Sequence, residues 1–539
     1  MAPSASITGE AGALLRELPC EFWIVMLVEF LNSFRQFALG AALYQYMTLE
    51  FGFGDVETGW IKGFSGVVGT ICGLSGSLLT DLLGVRRVSL LALSVACVGR
   101  GILFMARSQV TFKFAILVLT PFGDAMLGTG LYMVAVKRLT TLRTRPFAFS
   151  LQYAIFNVAA AASGVVLDLV RERDVHAFGL VWSGYRIYVG LTWIVILVAW
   201  LTCLLFLHDV KVAVNNDPSS SDYGRPRVVP FRTPRLSFNA QDVAAGYREA
   251  CRILCTRNIW RVMTFSVCTI MVGKQWGDLN DVLPPFLERF YGENVPIFTI
   301  SSINPVICSF APPVIALLLA KIDVYNRMLI GLFIMGASPV FMSLAPTVPS
   351  AILWVIFMSV GEVVWSPIVS SWVASLAPSG REGLFFALNS IKNLIIGPPS
   401  SAFNGWLNAA FNPNCKECRD SHGHFCDTHV GDACQSQTPT TCVGEAFFNM
   451  TQTMQSCPST CVECPGWTGS LEQAKILWQI VFYTSLSSPI LVWLFLPFLR
   501  GDACTVCGTT CCAAAAGLDD TEAQPEMEDA APEEKAILM

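Results

Sequence analysis

Long apolar runs alternate with short polar connections along most of the chain, and the alternation repeats twelve times. The runs cover 22–48, 60–80, 88–107, 112–136, 147–170, 186–208, 259–287, 296–320, 326–346, 350–377, 384–411 and 474–499. A helix needs about 20 apolar residues to cross the hydrocarbon of a bilayer. The runs are too long and too uniformly apolar for the alternating strands of a barrel. The pattern therefore predicts an all-α integral membrane protein with twelve transmembrane helices.

One long polar segment, 209–258, divides the runs into six and six. Its stretch "NNDPSSSDYGRPRVVPFRTPR" reads as a linker, and "NAQDVAAGYREACRILC" as a short amphipathic surface helix. The organisation predicted is an N-terminal six-helix bundle over 1–208 and a cytoplasmic linker over 209–258. A C-terminal six-helix bundle follows over 259–411 and 474–499, with an extracytoplasmic Cys-rich loop at 412–473 and an acidic cytoplasmic tail at 500–539. Cations set the orientation. "KRLTTLRTR" between the fourth and fifth runs carries four and the linker carries eight, against none in "PTVP" between the ninth and tenth. Arg171, Arg173 and Arg186 weaken the bias without reversing it. The opening "MAPSASITGEAGALLRELPC" has no apolar core ahead of a cleavage site, so the first run is expected to direct insertion itself. The expected location is a multi-pass protein of the plasma membrane or an endomembrane, with both termini cytoplasmic.

Composition agrees, with 53% hydrophobic and 14% charged residues, against the roughly 25% charged of soluble domains. Mean hydropathy is +0.53. The chain contains no Walker loop, G-x-S-x-G elbow or H-E-x-x-H helix. Neither an enzyme nor an ATP-driven pump is expected, and no cofactor or resident metal. The partners expected are the lipid bilayer, a small-molecule solute and protons, but no nucleic acid, and the chain is expected as a monomer.

Eight of the 20 cysteines (Cys415, Cys418, Cys426, Cys434, Cys442, Cys457, Cys461 and Cys464) lie in the loop 412–473, beside the sequon Asn449-Met450-Thr451. An even, dense set next to a glycosylation acceptor reads as four disulfides in an oxidising compartment, of undetermined connectivity. Zinc is the rival reading, because Cys415-x-x-Cys418 and Cys461-x-x-Cys464 have ligand spacing and His422, His424 and His429 lie nearby. Cys504, Cys507, Cys511 and Cys512 follow the last run, where thiols are either palmitoylated or left unmodified.

Between the second and third runs, "GSLLTDLLGVRRV" places Gly76, Asp81, Gly84, Arg86 and Arg87. These residues resemble the corresponding loop of the major facilitator superfamily, which implies the major facilitator fold. The resemblance also implies a cytoplasmic gate in which Asp81, Arg86 and Arg87 pair across the bundle interface in one conformation. The matching loop of the second half, "ALLLAKIDVYNR", is degenerate. Within the superfamily, "GEVVWSPIVSSWVASLAPSGREG", "SINPVICSFAPPV" and "LGTG" resemble the tenth, eighth and fourth spans of proton-dependent oligopeptide transporters. The first span departs from that family, with Glu29 followed by Phe30 in place of E-x-x-E-R, and Met133 stands where the family carries a lysine.

The charges inside the runs are the candidate chemistry. Helical spacing groups Glu29, Asn32, Ser33 and Gln36, with Arg35 at the edge. It also groups Lys274, Asp278, Asp281 and Glu288 on the seventh run, and Asn389, Lys392 and Asn393 on the eleventh. Glu362 with Trp365 and Ser366 marks the tenth run, and Asp124 the fourth. Each charge near the bilayer centre costs about 2.5–3.5 kcal/mol on the insertion scale, so such faces turn away from lipid. Glu362 is expected to titrate or to bind the solute's cationic group, and Lys392, Lys274 or Arg35 to hold an anionic group. Plainer readings exist: Lys274 and Asp278 neutralise each other at i, i+4, Arg35 snorkels, and Asp124 pairs with a cation. Pro305, Pro312, Pro313, Pro367, Pro398 and Pro399 inside runs suggest kinks at which one bundle rocks against the other.

The function these features suggest is a secondary active transporter of a small polar or zwitterionic organic solute, proton-coupled through Glu362. The alternatives are a facilitative uniporter of the same fold, or a receptor or scaffold acting through its Cys-rich outer loop.

Overall fold

The computed structural model describes residues 12–501 except 13, 142, 178–179, 215–225, 232–247, 249–250, 293–294, 320, 377–391, 413–417, 421–439 and 443–470. The first half contains α1 (Cys20–Gln45, continued by the π turn Tyr46–Glu50), α2 (Asp55–Leu83) and α3 (Val85–Met105). It continues with α4 (the interrupted run Gln109–Leu139), α5 (Arg145–Val170) and α6 (Gly184–Phe206). In the second half, α7 is broken into Arg257–Cys268, Ile270–Gly273, Gln275–Asp281 and Leu283–Tyr291. Then follow α8 (Ile297–Leu318), α9 (Val324–Ala337, extended by Val340–Leu344), α10 (Val348–Leu376), α11 (Lys392–Phe411) and α12 (Leu471–Leu494).

Among the described residues nine helices are long and apolar enough to cross a membrane: α1, α3, α4, α5, α6, α8, α9, α10 and α12. The other three expected runs are α2, α7 and α11. Of these, α7 is split into short pieces, while residues 74–82 of α2 and residues 384–391 ahead of Lys392 fall outside what the structure describes in full. Large apolar side chains on the helix exteriors, such as Phe310 at 70% and Leu318 at 72% exposure, suit contact with lipid rather than water.

The connections are not purely irregular, as an all-α reading expects. Among the described residues, three two-stranded antiparallel sheets occupy them: Val175–Ala177 with Leu180–Trp182, Val210–Val214 with Pro226–Pro230, and Cys418–Asp420 with Thr440–Cys442. Alternating valines at 210, 212 and 214 support the second hairpin inside the polar linker. The third sets Cys418 opposite Cys442 in register. The other six loop cysteines and Asn449 lie outside the described residues.

A single residue joins α2 to α3. Gly84 takes φ +86°, a left-handed conformation that disfavours a side chain, and a Cβ there would meet the Asp209 carboxylate 3.0 Å away.

Glycines also bring the two halves together. A Cβ on Gly59 would stand 2.5 Å from Ser401 O, and one on Gly63 2.5 Å from Pro398 Cα, so α2 and α11 approach nearly backbone to backbone. Gly164 lets α5 approach Ser302 and Phe298 of α8 in the same way. One apolar cluster stays within the first half, while the other runs from Ala38–Phe53, Leu103–Ile116 and Leu167–Val189 into the second. Those first-half members come from the end of the molecule where α1–α2, α3–α4 and α5–α6 connect. The halves are therefore sealed together at that end.

Candidate functional site

A cavity of about 630 Å³ lies between the halves, walled by α2, α7, α10 and α11. That volume falls in the range of small-molecule sites, roughly 300–1,000 Å³. Lys62, Lys274, Trp276 and Asn404 line its inner part, and it extends past Gly66, Thr70 and Val373 away from the sealed end.

The break in α7 makes this lining possible. Gln275 holds the broken segment in place: its amide donates to Met335 O at 2.8 Å, and its carbonyl accepts from Ser338 Oγ and Trp354 Nε1, each at 3.2 Å. Lys274 donates to the Asp278 carboxylate one turn on and stands 5.1 Å from the centre of the Phe403 ring. Lys62 of α2 donates to the Asp281 carboxylate, an ion pair that joins the two halves at the cavity. Trp276 Nε1 and Asn304 Nδ2 both donate to Glu362 Oε2, at 2.9 and 2.8 Å. The Glu362 side chain thus belongs to the shell behind Trp276, and it is not among the residues lining the cavity.

The charges predicted on the first span lie elsewhere. Arg35 donates to the Asp124 carboxylate and to Asn32 Oδ1 inside the first half. Arg100 of α3 shares that carboxylate at 4.0 Å and donates to Thr192 Oγ1 at 3.2 Å. Glu29 accepts from Gln152 Nε2 at 2.9 Å, linking α1 to α5. None of Glu29, Arg35 and Asp124 lines the cavity. The expected solute set therefore divides in two: Lys274 and Trp365 face the cavity, with Asp278 and Glu362 supporting it from behind, while Glu29 and Arg35 belong to a separate polar core. Helical spacing places residues on one face of a helix but does not choose the neighbour that face meets. Asn389 and the side chain of Lys392 lie outside the described residues.

For the expected gate, the surroundings of Gly76 and the side chain of Asp81 also lie outside what is described. Arg86 turns toward its own half, its backbone N–H donating to Asp209 Oδ1 at 3.0 Å and its guanidinium to Leu204 O at 2.9 Å. Arg87 is exposed. Among the described residues, a second ion pair between the halves lies at the opposite end. Arg289 forks onto both oxygens of Asp55, at 2.8 and 3.1 Å, and Tyr44 Oη donates to the same carboxylate at 2.9 Å. Nearby, Arg171 donates to Val295 O at 2.6 Å, and Asp168 accepts from the Thr299 backbone N–H at 2.6 Å. Burial opposes the Arg171 charge, but Tyr185, Glu288 and Asp168 outweigh it and hold the guanidinium above its ordinary value.

Lys62, Arg100, Asp55 and Arg289 escaped the sequence reading. Arg100 was detectable as a cation inside the run 88–107, and Lys62 as one just inside 60–80. Asp55 and Arg289 fall just outside their runs, where charge is ordinary, and gave no signal.

The sequence profile described as Major Facilitator Superfamily matches residues 25–397. No curated protein matches the chain. Among solved structures, the chain is similar to a POT family transporter in complex with 5-aminolevulinic acid, at 15% identity and TM-score 0.59, covering 89% of this chain and 97% of that one. It is similar to a structure described as giving insights into substrate recognition in proton dependent oligopeptide transporters, at 14% identity and TM-score 0.60, covering 89% and 99%. It is also similar to a peptide transporter POT in complex with sulfate, at 12% identity and TM-score 0.61, covering 91% and 98%. At these identities the likeness shows a shared fold.

Proposed function

Because the chain belongs to the major facilitator superfamily, we propose that it moves a small polar or zwitterionic organic solute across its membrane by alternating access of its two halves. The observation that carries this reading is the cavity between the halves, lined by Lys62 and Lys274 and closed at one end by the Asp55–Arg289 pair. Charges at such depth are tolerated where water, a solute or a partner reaches them. In this reading α2, α7 and α11 are spans as well, which completes twelve. The cation-rich linker and the termini are cytoplasmic, so the Asp55–Arg289 end faces outward and the conformation is inward-facing. The loop 412–473 then lies in an oxidising compartment, where its eight cysteines form disulfides and Asn449 carries a glycan.

Proton coupling through Glu362 is part of the proposal. A one-unit pH gradient can drive about tenfold accumulation of solute per proton, since one pH unit is worth about 1.4 kcal/mol. Glu362→Gln keeps an acceptor for Trp276 and Asn304 but cannot carry the proton. In proteoliposomes the parent is expected to accumulate solute under an inward acid gradient, and Glu362→Gln to equilibrate it only. Equal accumulation by both proteins removes Glu362 from the coupling, and gradient-independent flux by the parent marks a facilitative uniporter.

Steric occlusion tests the cavity itself. A Cβ on Gly66 or Gly397 meets nothing within 4 Å, and both glycines line the cavity. Gly66→Leu and Gly397→Leu are expected to leave thermal stability near the parent's, because a Cβ at either site meets nothing, the side chain extends into the open cavity, and glycine is unfavourable within a helix. Uptake is expected to fall at least about tenfold, the result of losing roughly 1.4 kcal/mol of solute binding. Parental uptake in both variants would place the solute path elsewhere.

A further inference from the structure

We infer that the solute held in this cavity is an organic anion with a flat apolar body and no cationic group, an aromatic carboxylate in its simplest form. The inference rests on the transporter reading above and narrows its substrate class.

Charge is the first argument. Lys62 and Lys274 line the cavity, and no Asp or Glu is among its described lining residues. Their carboxylate partners do not line the cavity; the Lys62 and Asp281 side chains are 14% and 7% exposed, and those of Lys274 and Asp278 2% and 1%. In both pairs the ammonium belongs to a residue that lines the cavity and the carboxylate to one that does not. A carboxylate placed there gains charge-assisted hydrogen bonds. An ammonium placed there loses its water, finds no acidic partner among the described lining, and is repelled by two others. Glu362, the carboxylate best suited by sequence to receive an amine, directs Oε2 at Trp276 and Asn304 instead.

Shape is the second argument. Trp276 and Trp365 stand side by side on the wall with ring centroids 6.1 Å apart, and Phe265 lies 6.3 Å from Trp365. Both indole N–H groups are spent outside the cavity, Trp276 on Glu362 and Trp365 on Met335 Sδ at 3.3 Å. What the rings offer a solute is apolar surface, which favours a planar ring. The open space at Gly66 and Gly397 leaves room for one.

Four probes that share one ring separate the possibilities: indole-3-acetate, indole-3-acetamide, tryptamine and tryptophan. Glutarate serves as an anion without a ring. Thermal unfolding of the purified full-length protein, titrated with each probe, gives the dissociation constants. Indole-3-acetate is expected to bind at least tenfold more tightly than the other four. Lys62→Gln combined with Asp281→Asn, which removes the pair without leaving a bare carboxylate, is expected to erase the preference over the acetamide. Equal or tighter binding of tryptophan or tryptamine overturns the anion assignment, and equal binding of glutarate overturns the flat body. Binding of none of the probes overturns both. The transporter reading is judged separately, by uptake from a broad metabolite mixture, and flux of any solute there sustains it whichever way the indole series falls.

Discussion

Replacing Arg289 with alanine is expected to open the sealed end of the molecule. Arg289 is the only group among the described residues that forks onto both oxygens of Asp55, and the pair is largely buried, at 11% and 5% side-chain exposure. Removing one partner of a buried ion pair costs about 3–5 kcal/mol because the other charge is left uncompensated. Here that cost falls on one conformation alone, the one in which α2 and α7 meet. The equilibrium between conformations is thus expected to shift by roughly 10²- to 10³-fold toward opening at this end. Spin labels on the α1–α2 and α7–α8 connections would report the change as a longer distance, with transport slowed because the sealed state is depopulated. Exchanging the charges, Asp55→Arg with Arg289→Asp, is expected to restore the short distance in large part. An unchanged distance in Arg289→Ala would assign the seal to the glycine contacts of α2 with α11.

The second large effect is expected in the first half, and its order matters more than its size. Arg35 and Arg100 are 0% and 1% exposed, and both turn to Asp124. After Arg35→Ala, Arg100 is already 4.0 Å from the carboxylate and can take over the pairing. After Asp124→Ala, two buried guanidinium groups face each other without an acid. Asp124→Ala is therefore expected to destabilise by about 3–5 kcal/mol, and Arg35→Ala by distinctly less. Thermal unfolding of the purified variants would give the order. Arg35→Ala melting below Asp124→Ala would mean that Arg100 does not share the carboxylate in solution.

These two clusters show where legibility ended. Glu362 stood out in the sequence as a carboxylate inside an apolar run, and Lys274–Asp278 as an i, i+4 pair that the structure retains. Arg35–Asp124 matches the plainer reading, in which an acid on one span neutralises a cation on another. Lys62–Asp281 could not be read from sequence, because its partners are 219 residues apart on α2 and α7, whose approach is set by tertiary packing. The linker hairpin was hidden for another reason: its valines are embedded in a polar, proline-rich segment whose composition reads as loop.

That this chain belongs in a lipid bilayer, where its helices lie, and which side chains cannot face lipid are all legible along the chain, because burial in hydrocarbon is decided residue by residue along one helix. That Lys62 and Lys274 line one cavity, that Glu29 and Arg35 belong to another cluster, and that Asp55 and Arg289 close one end depends on how the helices pack. An ion pair depends on the distance between two helices, and that distance is set by packing such as the glycine contacts of α2 against α11 rather than by the periodicity of either helix.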